Sequence, residues 1–268
     1  MSCLLTAVIP TRNEAANIAA CVRSFAGFRE EAEVVVVDNS STDATREIAA
    51  AEGARVVVQG PERTAQRNRG VREAAGTWIL FLDADMTMGE ETVREVLERV
   101  RANGPADAYY IPEVRCGRGL RARARAFERS FYDATAIDAV RLVRRSVFET
   151  VGGYDETLVA CEDWDLDRRL VAAGANFASL RHPLVHHEAM LPLGKLLAKK
   201  AYYSASIGRY RSKWGEDAVM RRQFGLGYRF FGVFVEHGKW KRVLRHPLLF
   251  AVMMGERLAV AWTYLRNR

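Results

Sequence analysis

Trp78-Ile79-Leu80-Phe81-Leu82-Asp83-Ala84-Asp85-Met86 is the stretch that decides the fold: five apolar residues run directly into two acidic ones a single position apart. An apolar run of this length suits a strand buried on both faces, and its carboxylates fall where the strand ends and a loop begins. Two carboxylates about 5 Å apart repel by roughly 3 kcal/mol at an effective dielectric of 20, so such a pair suits a shared divalent cation or a polar ligand. The stretch points to a strand-end site for a metal and a phosphate.

Outward from it, Leu4 to Ile9, Glu33 to Val37 and Arg55 to Val58 are further short, β-branched-rich runs, and helical spacing lies between them, as in Ile18, Cys21, Val22 and Phe25. The order β-α-β-α-β-α-β predicts an α/β fold, a mostly parallel sheet with helices on both faces. Ligands of such sheets bind beyond the carboxyl ends of the strands. The candidates are then Pro10 to Glu14, Asp38 to Asp43 and Asp83 to Met86. Thr11 or Asn13 could instead cap a helix. Asp43 suits a cap as well, whereas Asp38, at a strand terminus, can accept from a base N–H or a sugar hydroxyl. Arg63, Arg67 and Gly70 share a helical face with Asn68 beside them, either as a solvated basic face or lying near a nucleotide pocket to position a diphosphate or the Asp83-Ala84-Asp85 loop.

The 268 residues, 49% hydrophobic, are enough for one large α/β domain with an appendage. Charge is uneven along the chain. From residue 190 onward there are 16 Lys and Arg against 4 Asp and Glu, including all six lysines, so the preceding part is net acidic although the whole carries +7. A basic tail meets nucleic acid or an anionic membrane. No helix-turn-helix, zinc or RNP-like pattern supports nucleic acid. Cys3, Cys21, Cys116 and Cys161 lie far apart with no CxxC pair and no secretory signal, which predicts reduced thiols and a cytoplasmic setting.

Taken in order, PTRNE (10–14), VVDNSSTDAT (36–45), AQRNRG (65–70) and FLDADM (81–86) resemble a family 2 glycosyltransferase over about residues 4 to 190. The resemblance implies a GT-A fold in a catalytic domain, residues 1–190, followed by a basic, aromatic helical extension, residues 191–268. It implies a nucleoside site formed by Pro10, Thr11, Arg12, Asn13, Glu14, Asp38 and Asn39, with Gln66, Arg67, Asn68, Asp83 and Ala84 also on the nucleotide. Asp85 would be the ligand of Mn2+ or Mg2+, with Asp83 beside the ribose or as an alternative ligand. Val151 to Glu156 and Cys161 to Asp167 resemble the family's glycine loop and xED motif. They place Gly152, Gly153, Tyr154 and Trp164 on the acceptor side. Asp163 is then the general base, with Glu162 orienting it, and in-line attack at the anomeric carbon would invert it. Asp165 and Asp167 are expected to face solvent or cap the helix. The fold also supplies a histidine ligand near His186-His187. Neighbours on an extended segment point to opposite faces, so at most one can serve, and His186 is preferred.

Two basic segments leave alternatives open. Arg118, Arg121, Arg125 and Arg129 would share a helical face, whether solvated, cradling an acceptor phosphate or facing a membrane. Leu193, Leu196, Tyr203, Ile207, Tyr210 and Trp214 form an apolar stripe among Lys195, Lys199, Lys200, Arg209, Arg211 and Lys213, fitting a membrane interface or packing on the catalytic domain. Leu248 to Leu265 is apolar, but central Glu256 and Arg257 cost about 2.5 kcal/mol or more each in a bilayer, so peripheral attachment to the inner membrane face is expected rather than spanning. The expected function is metal-dependent, inverting transfer from a nucleoside-diphosphate sugar to a hydroxyl or phosphate of a lipid-linked or other membrane-proximal acceptor, with a glycan or lipid-linked acceptor as partner. A soluble acceptor is the enzymatic alternative, and a non-catalytic nucleotide-sugar-binding protein the competing class.

Overall fold

A computed structural model of the chain describes residues 3–117, 119–187 and 207–266. β1 (Leu5–Thr11), β2 (Ala32–Asp38), β3 (Arg55–Val58) and β4 (Trp78–Phe81) alternate with α1 (Ile18–Arg23), α2 (Thr45–Ala51) and α3 (Arg63–Glu73). Next come β5 (Met86–Met88), α4 (Glu90–Ala102), β6 (Ala108–Tyr110), β7 (Glu113–Arg115), α5 (Leu120–Arg129), β8 (Leu142–Arg144) and α6 (Arg145–Thr150). α7 (Glu162–Ala172), β9 (Phe177–Ser179) and β10 (Leu184–His186) follow. After the helical residues 207–214 come α8 (Ala218–Phe224), α9 (Trp240–Arg245) and α10 (Pro247–Arg266).

The seven-stranded sheet runs β3-β2-β1-β4-β8-β6-β9, and within it β8 alone is antiparallel to its neighbours. Alternation along the strands divides the interior into two layers. Leu5, Ala7, Ile9, Val34, Val36 and Leu80 join α1 and α4 on one face, while Val8, Val35, Val37, Ile79 and Phe81 meet α3, α6 and α7 on the other. α4 packs through Val93, Val96, Leu97 and Val100, with Glu90 and Glu91 in its first turn and Arg99 and Arg101 in its last, each suited to the helix dipole.

Gly70 brings α3 against the sheet. A Cβ there would lie 2.3 Å from Val8 Cγ1 and 3.2 Å from Val37 Cγ2. α3 therefore approaches β1 and β2 as closely as a helix lacking that side chain allows, which carries Gln66 and Arg67 to the strand ends. Strand order reverses between β1 and β4, so the crevice beyond their carboxyl ends is the topological switch point.

A second sheet, β5-β10-β7, crosses the end of this crevice, with β10 antiparallel to β5 and parallel to β7. Its strands have three residues each, too short to stand out in the sequence. Beyond it, α10 packs on α5, where Arg257 pairs with Glu128 at 2.7 Å and Arg121 with Glu256 at 2.6 Å. Among the described residues no helix is long and apolar enough to cross a membrane.

Candidate active site

The first wall of the crevice joins the β1–α1 and β2–α2 loops. Asn13 N–H donates to Ser41 Oγ at 2.8 Å, Glu14 N–H to Thr45 Oγ1 at 2.8 Å, and Ala15 N–H to Asp43 at 3.2 Å. Thr42 N–H returns to Asn13 Oδ1 at 2.8 Å. Neither Thr11 nor Asn13 caps α1, whose N-cap position is Asn17; Asn13 instead takes φ +56° and links the two loops. Asp38 is fully buried and accepts from Thr11 Oγ1 at 3.2 Å and Ser41 N–H at 2.8 Å. Asn39 turns to the Pro61 carbonyl, and Arg12 is exposed. Burial pushes the Glu14 carboxyl up, opposed by its bond from Asn17 and reinforced by Asp85, Asp43 and Asp83, so this wall faces the acidic pair.

Gln66 and Asn68, expected at the nucleotide, have their amides occupied by protein. Gln66 Nε2 donates to the Thr11 and Val37 carbonyls at 3.0 and 2.6 Å, tying the ends of β1 and β2 together. Asn68 Nδ2 donates to the Tyr154 carbonyl at 2.9 Å and its Oδ1 accepts from Tyr154 N–H at 2.8 Å. That reciprocal pair fixes the glycine loop. Gly153 lies at φ +71°, and a Cβ there would come within 2.8 Å of Asn68 Oδ1.

The acidic pair itself divides. β5 begins at Met86, paired with His186 of β10, and the antiparallel register sends alternate side chains to opposite faces. His186 Nε2 lies 3.1 Å from Asp85 Oδ2, while His187 Nε2 lies 2.8 Å from Thr87 Oγ1. Behind His186, Nδ1 is 2.9 Å from Glu113 Oε1. Burial alone would lower the His186 pKa; hydrogen bonds to Asp85 and Glu113 prevail and raise it to about 9. Among the described residues no group of three or more His, Cys, Asp or Glu is disposed to hold a metal. Asp85 and His186 form a two-residue set.

Asp83 faces the opposite way, toward arginines. Arg67 Nη2 is 3.1 Å from Asp83 Oδ1 and Arg141 Nη1 is 3.4 Å from Asp83 Oδ2. Burial would raise the Asp83 pKa, but Arg141 and Arg67 lower it well below the carboxylate range. Arg67, 1% exposed, also reaches Asp163 Oδ1 at 2.8 Å and Glu162 Oε1 at 3.7 Å, with its guanidinium 5.1 Å from the Tyr154 ring centroid. One side chain thus spans the two halves of the crevice. What the sequence presents as a basic face of α3 is a buried bridge at Arg67, with Arg63 joining Glu162 at 3.1 Å.

Asp163 stands at the start of α7, and its Oδ1 also accepts from Tyr154 Oη at 3.2 Å. Its side chain is about a quarter exposed, beside a cavity of about 250 Å³ lined by Arg63, Ala160, Cys161, Glu162, Asp163 and Trp164. Burial, with Asp163 alongside, pushes Glu162 up to about 7 against the pull of Arg63 and Arg67.

Several expectations for this half are corrected. Asp165 neither faces solvent nor caps α7: fully buried, it accepts from Trp214 Nε1 and Lys213 Nζ, both at 2.8 Å. Asp167 accepts from Tyr110 Oη at 2.9 Å and Val140 N–H at 3.2 Å. Burial raises its pKa far above the usual range, against those two bonds. In the tail, Tyr210 is fully buried with Leu158 and Met220, and Trp164 packs on Tyr210 and Phe224. The described part of the predicted stripe therefore closes over the acceptor-side loop; Leu193, Leu196 and Tyr203, with Lys195, Lys199 and Lys200, lie outside the described residues. Nor is the α5 arginine row one solvated strip, since buried Arg129 joins Glu113 at 3.2 Å and Asp138 at 2.8 Å.

Glu113 and Arg141 escape sequence reasoning altogether. An isolated Arg within Ala139-Val140-Arg141-Leu142-Val143 is the one available signal, because a charge in an apolar run must find a partner when buried.

A mostly parallel sheet with a switch-point crevice, an acidic pair at its rim and a second carboxylate across the gap offers a ligand site where such sheets place one. The profile of glycosyl transferase family 2 matches residues 6–152, more than half of the chain, which belongs to that family and is a glycosyltransferase of GT-A fold. It is 30% identical over 192 residues to a PGL/p-HBAD biosynthesis glycosyltransferase of Mycobacterium bovis, covering 68% of this chain and 75% of the relative. The fold is similar to the mannosyltransferase PcManGT of Pyrobaculum calidifontis, solved with GDP-Man and Mn2+: TM-score 0.60, 18% identity, 96% of this chain and 74% of that one. It is also similar to glucosyl-3-phosphoglycerate synthase of Mycobacterium tuberculosis, solved with Mn2+, UDP and glucosyl-3-phosphoglycerate: TM-score 0.56, 20% identity, 80% and 81% coverage.

Proposed function

We propose that the chain catalyses metal-dependent, inverting transfer of a sugar from a nucleoside diphosphate to a hydroxyl of a lipid-linked or membrane-proximal acceptor. The observation that carries this is the crevice with Asp85 and His186 on one wall and Asp163 on the other, with Arg67 bonding both Asp163 and Asp83, two residues before Asp85. Pro10, Thr11, Arg12, Asn13, Glu14, Asp38 and Asn39 form the nucleoside wall, with Asp83 and Ala84 toward the ribose.

The residues fit Mn2+ or Mg2+. Asp85 supplies a carboxylate and His186 an imidazole whose far nitrogen is fixed by Glu113, the arrangement that orients a metal-binding histidine. Asp85 and His186 would hold the cation. When bound, the cation neutralises charge on the departing diphosphate.

On the acceptor side, Arg67 and Tyr154 both bond Asp163 Oδ1, leaving Oδ2 to take the acceptor proton. The acceptor oxygen then bonds to the anomeric carbon from the face opposite the phosphate. The bond from that carbon to the phosphate oxygen breaks, its electron pair leaves with the diphosphate, and configuration inverts. Gly152 and Gly153 shape the loop that carries Tyr154, and Trp164 anchors the base's helix. A thermal-shift panel of UDP-, GDP- and TDP-sugars with and without Mn2+ tests the proposal. At least one donor should stabilise the protein only with the metal, and Asp85→Asn should abolish that difference; no metal-dependent stabilisation by any donor would overturn it.

A further inference from the structure

We infer that the outward side of residues 226–248 is a docking face for an anionic lipid surface; the inference deepens, and rests on, the membrane-proximal part of the proposed function. Leu226, Phe231, Val235, Trp240, Leu244 and Leu248 are all between 47% and 73% exposed, six large apolar side chains within 23 residues. Isolated exposed apolar residues are ordinary, but a concentration of them marks a contact surface.

The local structure shows why they point outward. Val233 and Phe234 are buried in a core shared with Val243, Leu249, Phe250 and Met253, so both the segment before α9 and the start of α10 are held by their inner faces. Phe231 and Val235 flank the buried pair, and Trp240 and Leu244 are spaced i, i+4 on α9. α9 has one apolar arc, Trp240, Val243 and Leu244, of which Val243 packs on the core while Trp240 and Leu244 stay exposed.

Charge selects the occupant. Between residues 226 and 248 there are five Lys and Arg and one acidic residue, Glu236; Lys239 is buried against the Phe131 carbonyl, and Lys241, Arg242 and Arg245 are exposed. Lys241 and Arg245 are exposed along the flank of the Trp240–Leu244 stripe, and Lys241 Nζ lies 5.9 Å from the Trp240 ring centroid. Basic side chains interleaved with Trp and Leu complement anionic headgroups above acyl chains. A protein partner would have to present both apolar area and a matching acidic surface, which an anionic membrane supplies without a specific sequence. The face is separate from Tyr210 and Trp214, which are turned inward. It is joined to the catalytic half, because the same core takes in Trp164, the residue after Asp163.

The test is co-sedimentation of the full chain with vesicles of phosphatidylcholine alone and of phosphatidylcholine with an equal part of phosphatidylglycerol. Wild type should bind the anionic vesicles and not the neutral ones. Trp240→Glu with Leu244→Glu should weaken binding at least tenfold, Lys241→Glu with Arg245→Glu should weaken it in a salt-dependent way, and Val171→Glu, at an exposed apolar site elsewhere, should not. Donor hydrolysis without vesicles should be unchanged in Trp240→Glu/Leu244→Glu, which separates loss of docking from loss of fold. Failure of wild type to bind anionic vesicles, or equal binding by this double variant, overturns the inference. So does a wild-type dimer in gel filtration that becomes monomeric in that variant without any vesicle binding. Absence of donor hydrolysis in every protein would instead refute the glycosyltransferase mechanism and leave vesicle binding as a separate result.

Discussion

Replacing Arg67 with Met removes a side chain that bonds carboxylates on both sides of the crevice. Its guanidinium lies within 3.7 Å of Asp83, Glu162 and Asp163 and is 1% exposed. Removing one partner of a buried ionic group costs about 3–5 kcal/mol, because the charges left behind lose their counterion. Arg67 Nε has no hydrogen-bond partner, and relief of that buried donor returns about 1 kcal/mol or more. The net cost is therefore placed near the low end, about 3 kcal/mol. For a chain of this size about 2–4 °C is lost per kcal/mol, so the Tm should fall by about 6–12 °C. Arg67→Lys keeps the charge but not the fork that reaches Asp83 and Asp163 together. It should recover most of the Tm while leaving kcat for donor hydrolysis depressed about tenfold or more. Differential scanning fluorimetry and a coupled assay for nucleoside diphosphate provide both readings. An Arg67→Met protein that melts within 2 °C of wild type, or that turns over at the wild-type rate, would refute the bridging role.

Other predictions are narrower. Asp163→Asn should leave metal-dependent donor binding intact while reducing kcat by about 10²–10⁴, the usual range for a general base, and a loss of donor affinity in calorimetry would count against the assignment. Gly70→Ala should cost about 1–3 kcal/mol by pushing α3 off Val8, measured by urea unfolding; a neutral effect would show that the contact can relax. Asp133 titrates at about 6 rather than 3.8, raised by burial and, secondarily, by Asp138 against the pull of Arg129. With its native pKa above the unfolded one, its contribution is fully present below about pH 4 and lost as pH rises through about 6. Two units correspond to about 3 kcal/mol at most, and with the side chain 32% exposed about 1 kcal/mol is expected after screening. Asp133→Asn should accordingly raise the Tm over wild type at pH 8 and make little difference at pH 4; an equal gain at both would locate the effect elsewhere.

Much of the donor half is legible before any coordinates, because it depends on local pattern. The apolar runs feeding β1, β2 and β4 each end in polar residues at the carboxyl edge, and alternation shows that His186 and His187 point to opposite faces without showing which one meets Asp85. Legibility fails where partners are distant in sequence. Glu113 meets His186 across 73 residues through three-residue strands whose pairing no periodicity records. Arg67 meets Asp163 across 96 residues, so spacing shows a helical face without showing what covers it. Asp165 looks like a solvated helix-start acid because Lys213 and Trp214, which bury it, come 48 and 49 positions later. In the tail, composition conveys a basic, aromatic character but not which side chains are buried. Tyr210 and Trp214 are inside; Trp240 and Leu244 are out.

The most direct test of the central claim needs no identified acceptor. With a donor that binds, water can occupy the acceptor position beside Asp163, and slow hydrolysis followed by early-time proton NMR shows which anomer of the free sugar forms first. An α-linked donor should yield the β-anomer first, only when Mn2+ or Mg2+ is present, and not with Asp163→Asn. Release of the α-anomer first, or hydrolysis of equal rate without Asp163, would contradict a single inverting displacement driven from that carboxylate.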